Sequence, residues 1–326
     1  PATTQGYAHL LVWLSSFGAV TAVGVEGTGT YGAGLARSLA AHGIQVIEID
    51  RPDRRTRRTH GKSDPIDAIS AARAVLAGTA TGIPKTRTGP VEALRALKVA
   101  RRGAIKARSA ALNQLHGLIT SAPQEVRTPL EGLTIHAVTT RCARFRIDPG
   151  RITDPTHATR AALRAIARRI TDLTEEITTL DHLMGPLVQD LAPRLLSLHG
   201  IGIQVAAQLL ITAGDNPERL RSEAAFAHLC GAAPLPASSG RTDRHRLNRG
   251  GDRAGNNALH TIVVVRLKAH PATVAYRERR TQQGLTKKEI IRCLKRNIVR
   301  EVLPALLADI EDYTSHHHRP DTTRMA

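Results

Sequence analysis

The apolar and polar positions near the start of the chain predict a strand, a helix and a second strand. Residues 19–25 (AVTAVGV) are a short continuous apolar run, the pattern of a buried strand. Gly27, Gly29 and Gly32 make a turn, Ala33 to Ala41 reads as a helix stopped by Gly43, and Ile44 to Ile49 reads as a second strand. A strand–helix–strand unit predicts an α/β N-terminal region. A further helix is predicted from Ser63–Pro65 through Ala77. A long one follows over 90–121, interrupted by Gly103.

The clearest periodicity lies in 160–192. Leu163, Ile166, Ile170, Leu173, Ile177, Leu180, Met184, Leu187 and Leu191 are spaced alternately by 3 and 4 residues. That is an apolar seam of the coiled-coil type. The alternative is a long amphipathic helix packed on its own chain. Gly185–Pro186 predicts a kink or break in the last turn. From Leu195 the pattern changes. Residues 196–211 read as a helix end, a Gly-Ile-Gly turn and an apolar helix, and 234–257 as a polar loop rich in Arg and Gly. Helices are expected at about 257–269 and 286–308, so this half is mainly α-helical, and the tail around His316 to His318 is expected to be disordered.

Length and composition narrow the picture. At roughly 100–200 residues per domain, 326 residues suggest two domains. A hydrophobic share of 41% excludes disorder of the whole chain. No apolar stretch approaches the ~20 residues of a membrane span, and no basic-then-apolar leader opens the chain. Three widely spaced cysteines, Cys142, Cys230 and Cys293, give neither a disulfide framework nor a zinc site. A reducing cytoplasm is the expected location. Charge says more: 46 Lys and Arg against 28 Asp and Glu leave +18. Such a field attracts polyanions, nucleic acid first and an anionic membrane surface second. The plainer alternative is an Arg- and Ala-rich composition. Aromatic residues are only 2%, so phosphate contacts rather than base stacking are expected to carry affinity.

Several motifs carry candidate chemistry. GTGTYG (27–32) has the spacing of a dinucleotide-binding turn, with the arginine-rich loop 51–62 as a possible 2′-phosphate contact. Glu26 argues against that reading, because a carboxylate there would face the pyrophosphate. Glu26 at a strand end suits a hard cation instead, and SDPID (63–67) adds Asp64 and Asp67 on one face of a helix start. Three such carboxylates can hold Mg²⁺ for phosphodiester chemistry. The competing reading of SDPID is a helix start with Asp64 as its N-cap, Pro65 at the first helical position and Asp67 favoured by the positive helix end. Arg54, Arg55, Arg57, Arg58 and Lys62 in the loop, and Arg101, Arg102, Lys106 and Arg108 on the long helix, are candidate nucleic-acid contacts. HGIGIQVAAQLL (199–210) resembles a helix-hairpin-helix turn, in which Gly200 and Gly202 would present backbone N–H groups to a phosphate. Ser238 and Ser239 precede Gly240 and a cluster including Arg241, Arg244 and Arg246. There a serine can attack phosphorus while guanidiniums stabilise the transferring phosphoryl. The bland alternative is a Ser-rich surface loop.

In this order VGVEGTGTYG, RPDRRTRRTHGKSDPIDA, LLSLHGIGIQVAAQLL, AFAHLCGAAPLPASSG and RAGNNALH resemble the DEDD transposases of bacterial insertion sequences, the IS one-ten family, which includes the Piv-type DNA invertases. The resemblance runs over about residues 10–308. It implies an N-terminal RuvC-like (RNase H-type) α/β domain over 1–88, lacking its first strands. A basic helix and coiled-coil link over 89–192 follows, then a mainly α-helical transposase domain with its serine loop over 193–310, and a tail over 311–326. It implies that Glu26, Asp64 and Asp67 match three of four acids binding Mg²⁺, and that Ser239 matches a nucleophile forming a 5′-phosphoserine link to DNA. It further implies donor and target DNA, a guiding bridge RNA, and dimers pairing into tetramers through the coil. The family's first acid lies upstream of the position of Glu26, and no Asp precedes Glu26 here. A catalytically inactive nucleic-acid-binding remnant is therefore the second expectation, and an NAD(P)-binding enzyme the third. His260 stands where the family has an Arg.

Overall fold

The apolar run before Glu26 pairs with the one after Gly43, as a short crossover between two extended segments allows. A computed structural model describes residues 2–49, 63–238, 240, 245–248 and 250–317 of the chain. Helix α1 (Thr4–Ser15) is capped by the Thr3 hydroxyl, which accepts from the Gly6 amide at 3.1 Å, and none of its residues is buried. Strand β1 (Ala22–Glu26), helix α2 (Ala33–Ala41) and strand β2 (Gln45–Ile49) follow. β1 and β2 are parallel, in register from Ala22↔Gln45 to Glu26↔Ile49, and Glu48 makes an isolated antiparallel bridge to Gly82. Helix α3 (Asp64–Leu76) packs on β1, and α2 packs on β2. These bounds lie close to those expected from the sequence.

The chain divides into two compact units. One is Pro1–Glu92 with Leu191–Ala326, the other Ala93–Asp190. The second holds most of α4 (Pro90–Thr120), then α5 (Gln124–Arg127), α6 (Ile135–Ala143) and nearly all of α7 (Pro155–Leu191). Its core joins Ala111 and Leu115 of α4, Val126, Val138 and Cys142, and Leu163, Ala167 and Ile170 of α7. Arg101 on α4 makes a two-pronged bridge to Asp181 on α7, at 2.5 and 2.9 Å. Residue 101 thus meets 181, while 111 and 115 share a core with 163 and 170, so the two helices run antiparallel. Of the seam read at 160–192, Leu163 and Ile170 share this core with α4, and Ile177, Met184 and Leu191 are buried as well. The expected break at Gly185–Pro186 does not occur, and α7 continues through Pro186 to Leu191. The proline lies on the exposed side, where water can satisfy the orphaned carbonyl, while Met184 and Val188 are fully buried on the other side.

The rest of the first unit is a helical bundle. It comprises α8 (Pro193–Ser197), α9 (Ile203–Ala213), α10 (Glu223–Leu229), the hairpin β3 (Leu235–Pro236) and β4 (His245–Arg246), α11 (Arg253–Ala269), α12 (Pro271–Gln282) and α13 (Lys287–His317). Leu209, Leu210, Phe226, Leu259, Ile262, Val299, Val302 and Leu306 are completely buried in it. Asp309 of α13 accepts from the Arg194 and Leu195 amides at 3.0 and 2.9 Å, capping α8 from another helix. α13 runs past residue 311, where the tail was expected to begin, and stays helical to His317.

Residues 83–91 dock on the bundle through polar bonds. Lys85 donates from Nζ to the Ile211 carbonyl at 2.5 Å, Asn216 bonds both the Thr86 amide and the Pro84 carbonyl, and Asp215 accepts from the Val91 amide at 2.9 Å. Burial pushes the Lys85 ammonium down to about 8, and burial likewise raises Asp215.

Candidate functional site

Alternation along β1 places Glu26 on the same face as Gly24. A side chain on Gly24 would stand 2.9 Å from Val75 Cγ2 of α3 and 3.1 Å from Ile49, so α3 covers the face that carries Glu26. The acid of the strand and the acids of the helix therefore share one face. They are not level along it. Helical rise sets Asp67 about 12 Å and Asp64 about 16 Å along α3 from Val75, whereas Glu26 lies about 7 Å along the strand from Gly24. Among the described residues no group of three or more His, Cys, Asp or Glu is placed to hold a metal ion. Glu26, Asp64 and Asp67 do not form a three-ligand site in this structure.

The start of α3 also differs from the capping alternative. Ser63, not Asp64, is the N-cap residue, and its hydroxyl makes no capping bond. Asp64 and Asp67 both lie in the first turn, where the helix dipole favours them. Asp64 is exposed and Asp67 half-buried.

The glycine turn after Glu26 folds on itself. Gly27 adopts φ +66°, and its carbonyl accepts from the amides of Thr30 and Gly32 at 2.8 and 3.1 Å. A side chain on Gly32 would press within 2.6 Å of the Glu26 carbonyl, so only glycine permits this approach. Two of the amides that could face a pyrophosphate are thus spent inside the turn, which counts against the dinucleotide reading. Thr28, buried beside them, donates to Glu48 on the opposite face of the sheet from Glu26.

Sequence reasoning missed Arg87. It holds a left-handed backbone at φ +55°, and its guanidinium lies against Gly29 of the turn and 3.6 Å from Glu92. Its Nε is buried with no hydrogen-bond partner among the described residues. No local motif marks an arginine that a distant turn recruits.

The candidate nucleic-acid contacts separate into three groups. Arg54, Arg55, Arg57, Arg58, Lys62, Ser239, Arg241 and Arg244 lie outside the described residues. On α4, Arg101 is committed to Asp181, which removes it from the free cationic strip. Arg102 and Lys106, four residues apart, are exposed on one side, with Arg108 half-buried. Lys98, unremarked in the sequence, is pushed down to about 8 by burial and by neighbouring Arg101.

The Gly-Ile-Gly turn joins α8 to α9. Gly200 is left-handed at φ +85°, and exposed Gly202 is the N-cap of α9. Behind the turn, buried Arg266 donates from Nε to the His199 carbonyl at 2.8 Å and pairs with Glu301 at 2.7 Å. In the hairpin, Leu235 pairs with Arg246 and Pro236 with His245, so the serine loop springs from a two-residue antiparallel foot. Arg246 is exposed at that foot.

Comparison with known proteins matches both of these regions. The family model described as Transposase IS116/IS110/IS902 family matches residues 192–278, which hold the turn, the hairpin and α11. A second, DEDD_Tnp_IS110, described as Transposase, matches residues 1–122, which hold Glu26, Asp64 and Asp67. A curated relative, the insertion element IS110 uncharacterized 43.6 kDa protein of Streptomyces coelicolor, is 32% identical over 155 residues, which is 46% of this chain and 38% of that protein. The chain thus aligns with well under half of that relative's length. Two separate segments, one with the candidate acids and one with the serine hairpin, match transposase models that share the IS110 name, and the chain belongs to the IS116/IS110/IS902 family of transposases.

Proposed function

We propose that the chain acts on DNA as the transposase of an insertion sequence, cutting and exchanging strands through a serine nucleophile under the guidance of a bridge-type RNA. The observation that carries this reading is the pair of family matches. Each covers one of the two candidate chemistries. In the proposed step Ser239 Oγ bonds to phosphorus, the P–O bond to the 3′ oxygen breaks, and the serine proton ends on the departing 3′ hydroxyl. A 5′-phosphoserine link remains. Arg241, Arg244 and Arg246 would stabilise the charge on the transferring group. The N-terminal region is proposed as a RuvC-like domain. Mg²⁺ is the proposed metal and Glu26, Asp64 and Asp67 its proposed ligands. In this structure the three acids do not close into one group. Subunits pairing as dimers and tetramers, and the division into domains at 88, 192 and 310, belong to the same proposal. No described helix is long and apolar enough to cross a membrane.

The test is Ser239→Ala. Covalent protein–DNA adducts, read on a denaturing gel after incubation with element-end DNA and Mg²⁺, should vanish while DNA affinity stays nearly unchanged. Adducts that persist in this variant would sink the nucleophile assignment.

A second reading has one observation in its favour, the separation of the three acids along their shared face. It is a nucleic-acid-binding chain without cleavage. It expects steeply salt-dependent binding and no adduct even with the wild-type serine.

A further inference from the structure

The bundle contains a cleft of about 730 Å³ between the foot of the hairpin, the start of α11 and the first turns of α13. It is within the size range of ligand sites. Its wall carries Arg246, Arg292, Lys295 and Arg296 against one carboxylate, Glu289. The pairings inside it are uneven. Arg296 is taken by Glu223 of α10. Glu289 is turned back onto its own helix start, accepting from the Thr286 amide and hydroxyl at 2.8 and 2.7 Å. Arg246 and Lys295 have no carboxylate partner among the described residues, while Arg292 is close enough to Glu289 to favour its charged form without a direct ion pair.

Lys295 is the most constrained of the three. It is half-buried, and it donates to Asn256 Oδ1 at 2.7 Å. Asn256 is itself fixed, donating from Nδ2 to the Cys230 and Gly231 carbonyls at 2.7 and 3.1 Å. One of the three ammonium hydrogens is therefore held by a rigid amide, which aims the group and leaves two donors for the cleft. Burial lowers the affinity of this amine for its proton, so a charge kept here costs free energy that an arriving anion would recover. Arg292 lies one helical turn earlier on the same side of α13.

We infer that Lys295, aimed by Asn256, and Arg292 form a binding site for a backbone phosphate of a DNA strand, with Arg246 at its rim. The inference rests on the reading of the chain as a DNA-acting protein and adds the residues that grip the strand beside the serine hairpin. Lys295 acts as a point charge and Arg292 as a planar fork, so together they suit one phosphodiester with two unshared oxygens.

The full chain is titrated against a fluorescein-labelled DNA duplex of about 20 base pairs and against an RNA strand of the same sequence, over a salt series. Lys295→Ala and Arg292→Ala should each weaken DNA binding about threefold to tenfold and flatten the log–log salt slope by about one. Lys295→Arg should keep the slope. Arg292 is exposed, so its variant carries the test if Lys295→Ala fails to fold. Unchanged DNA slopes in the folded variants, or a loss confined to RNA, would overturn the inference. The readout does not depend on cleavage. A chain that never forms adducts yet loses slope supports this site and counts against the proposed reaction. A chain that forms adducts with unaltered slopes does the reverse.

Discussion

The β1–β2 layer and the α8–α13 bundle belong to one compact unit, yet they bury their apolar side chains very differently. In the bundle, Phe226, Leu259, Ile262 and Val299 are wholly enclosed by neighbouring helices. Around the layer, Tyr31 is 97% exposed, Leu76 87% and Phe17 75%, and α1 buries nothing. A two-stranded sheet has too little area to cover the helices laid on it. The lesson concerns the two candidate chemistries. The foot of the serine hairpin, itself largely exposed, lies in the chain between the enclosed helices α10 and α11, whereas Glu26, Asp64 and Asp67 stand on a thinly packed layer. Precision of side-chain placement follows packing, so the layer holds Glu26, Asp64 and Asp67 only loosely.

That contrast can be broken by mutation. Phe226→Ala should cost about 3–5 kcal/mol, because it empties an enclosed site, while Val25→Ala in the layer should cost no more than about 2 kcal/mol. Urea midpoints at constant slope measure both. Equal costs would mean that the layer is as tightly held as the bundle.

A smaller effect sharpens the comparison inside the bundle. Asp309→Ala leaves the buried amide of Leu195 and the part-buried amide of Arg194 without their acceptor and should cost about 2–3 kcal/mol. Hydrogen exchange should quicken at the start of α8 while the layer is unaffected. A change spread evenly over both regions would show that they unfold together.

The smallest effect is a pH dependence in which Lys85, on the segment joining layer and bundle, takes part. Lys85 and Lys98 are pushed down to about 8, below the ~10.4 of an unfolded lysine. Above pH 8 the unfolded chain holds protons that the folded one has shed, so stability rises with pH, by roughly 1 kcal/mol from Lys85 between pH 8 and 9. Burial has the opposite effect on two thiols, raising Cys142 to about 11 and Cys230 to about 12. From about pH 9 the unfolded thiols ionise first, and the gain is offset. Urea midpoints should climb from pH 7.5 to 9 and then level. Lys85→Met should reduce the climb, and a flat wild-type curve would contradict the assignment.

Much of the fold was legible because local signals agreed. The Ala33–Ala41 helix was bounded by Gly32 and Gly43, and the seam from Leu163 to Leu191 kept its spacing throughout. Helix α12 went unread although His270–Pro271 marks its start, with the His270 ring accepting from the Thr273 amide. Its polar surface hides any apolar period. The proline at 186 was a true local signal that tertiary packing overrode. For the candidate site, the identity of the acids and of the serine hairpin came from motif order. The cleft did not, because Lys295, Asn256 and Arg246 come from three segments with nothing shared in sequence.

The sequence by itself determined the elements, the basic balance and the family, because each is written in neighbouring residues or in total charge. Only the tertiary structure decided that Leu163 and Ile170 of the seam pack with the chain's own α4, that Arg101 is spent on Asp181, and that the three acids share a face without meeting. It alone left Lys295 aimed and without a described carboxylate partner. Those outcomes depend on which distant side chain arrives first at a given charge or apolar face, and spacing along the chain carries no record of that competition.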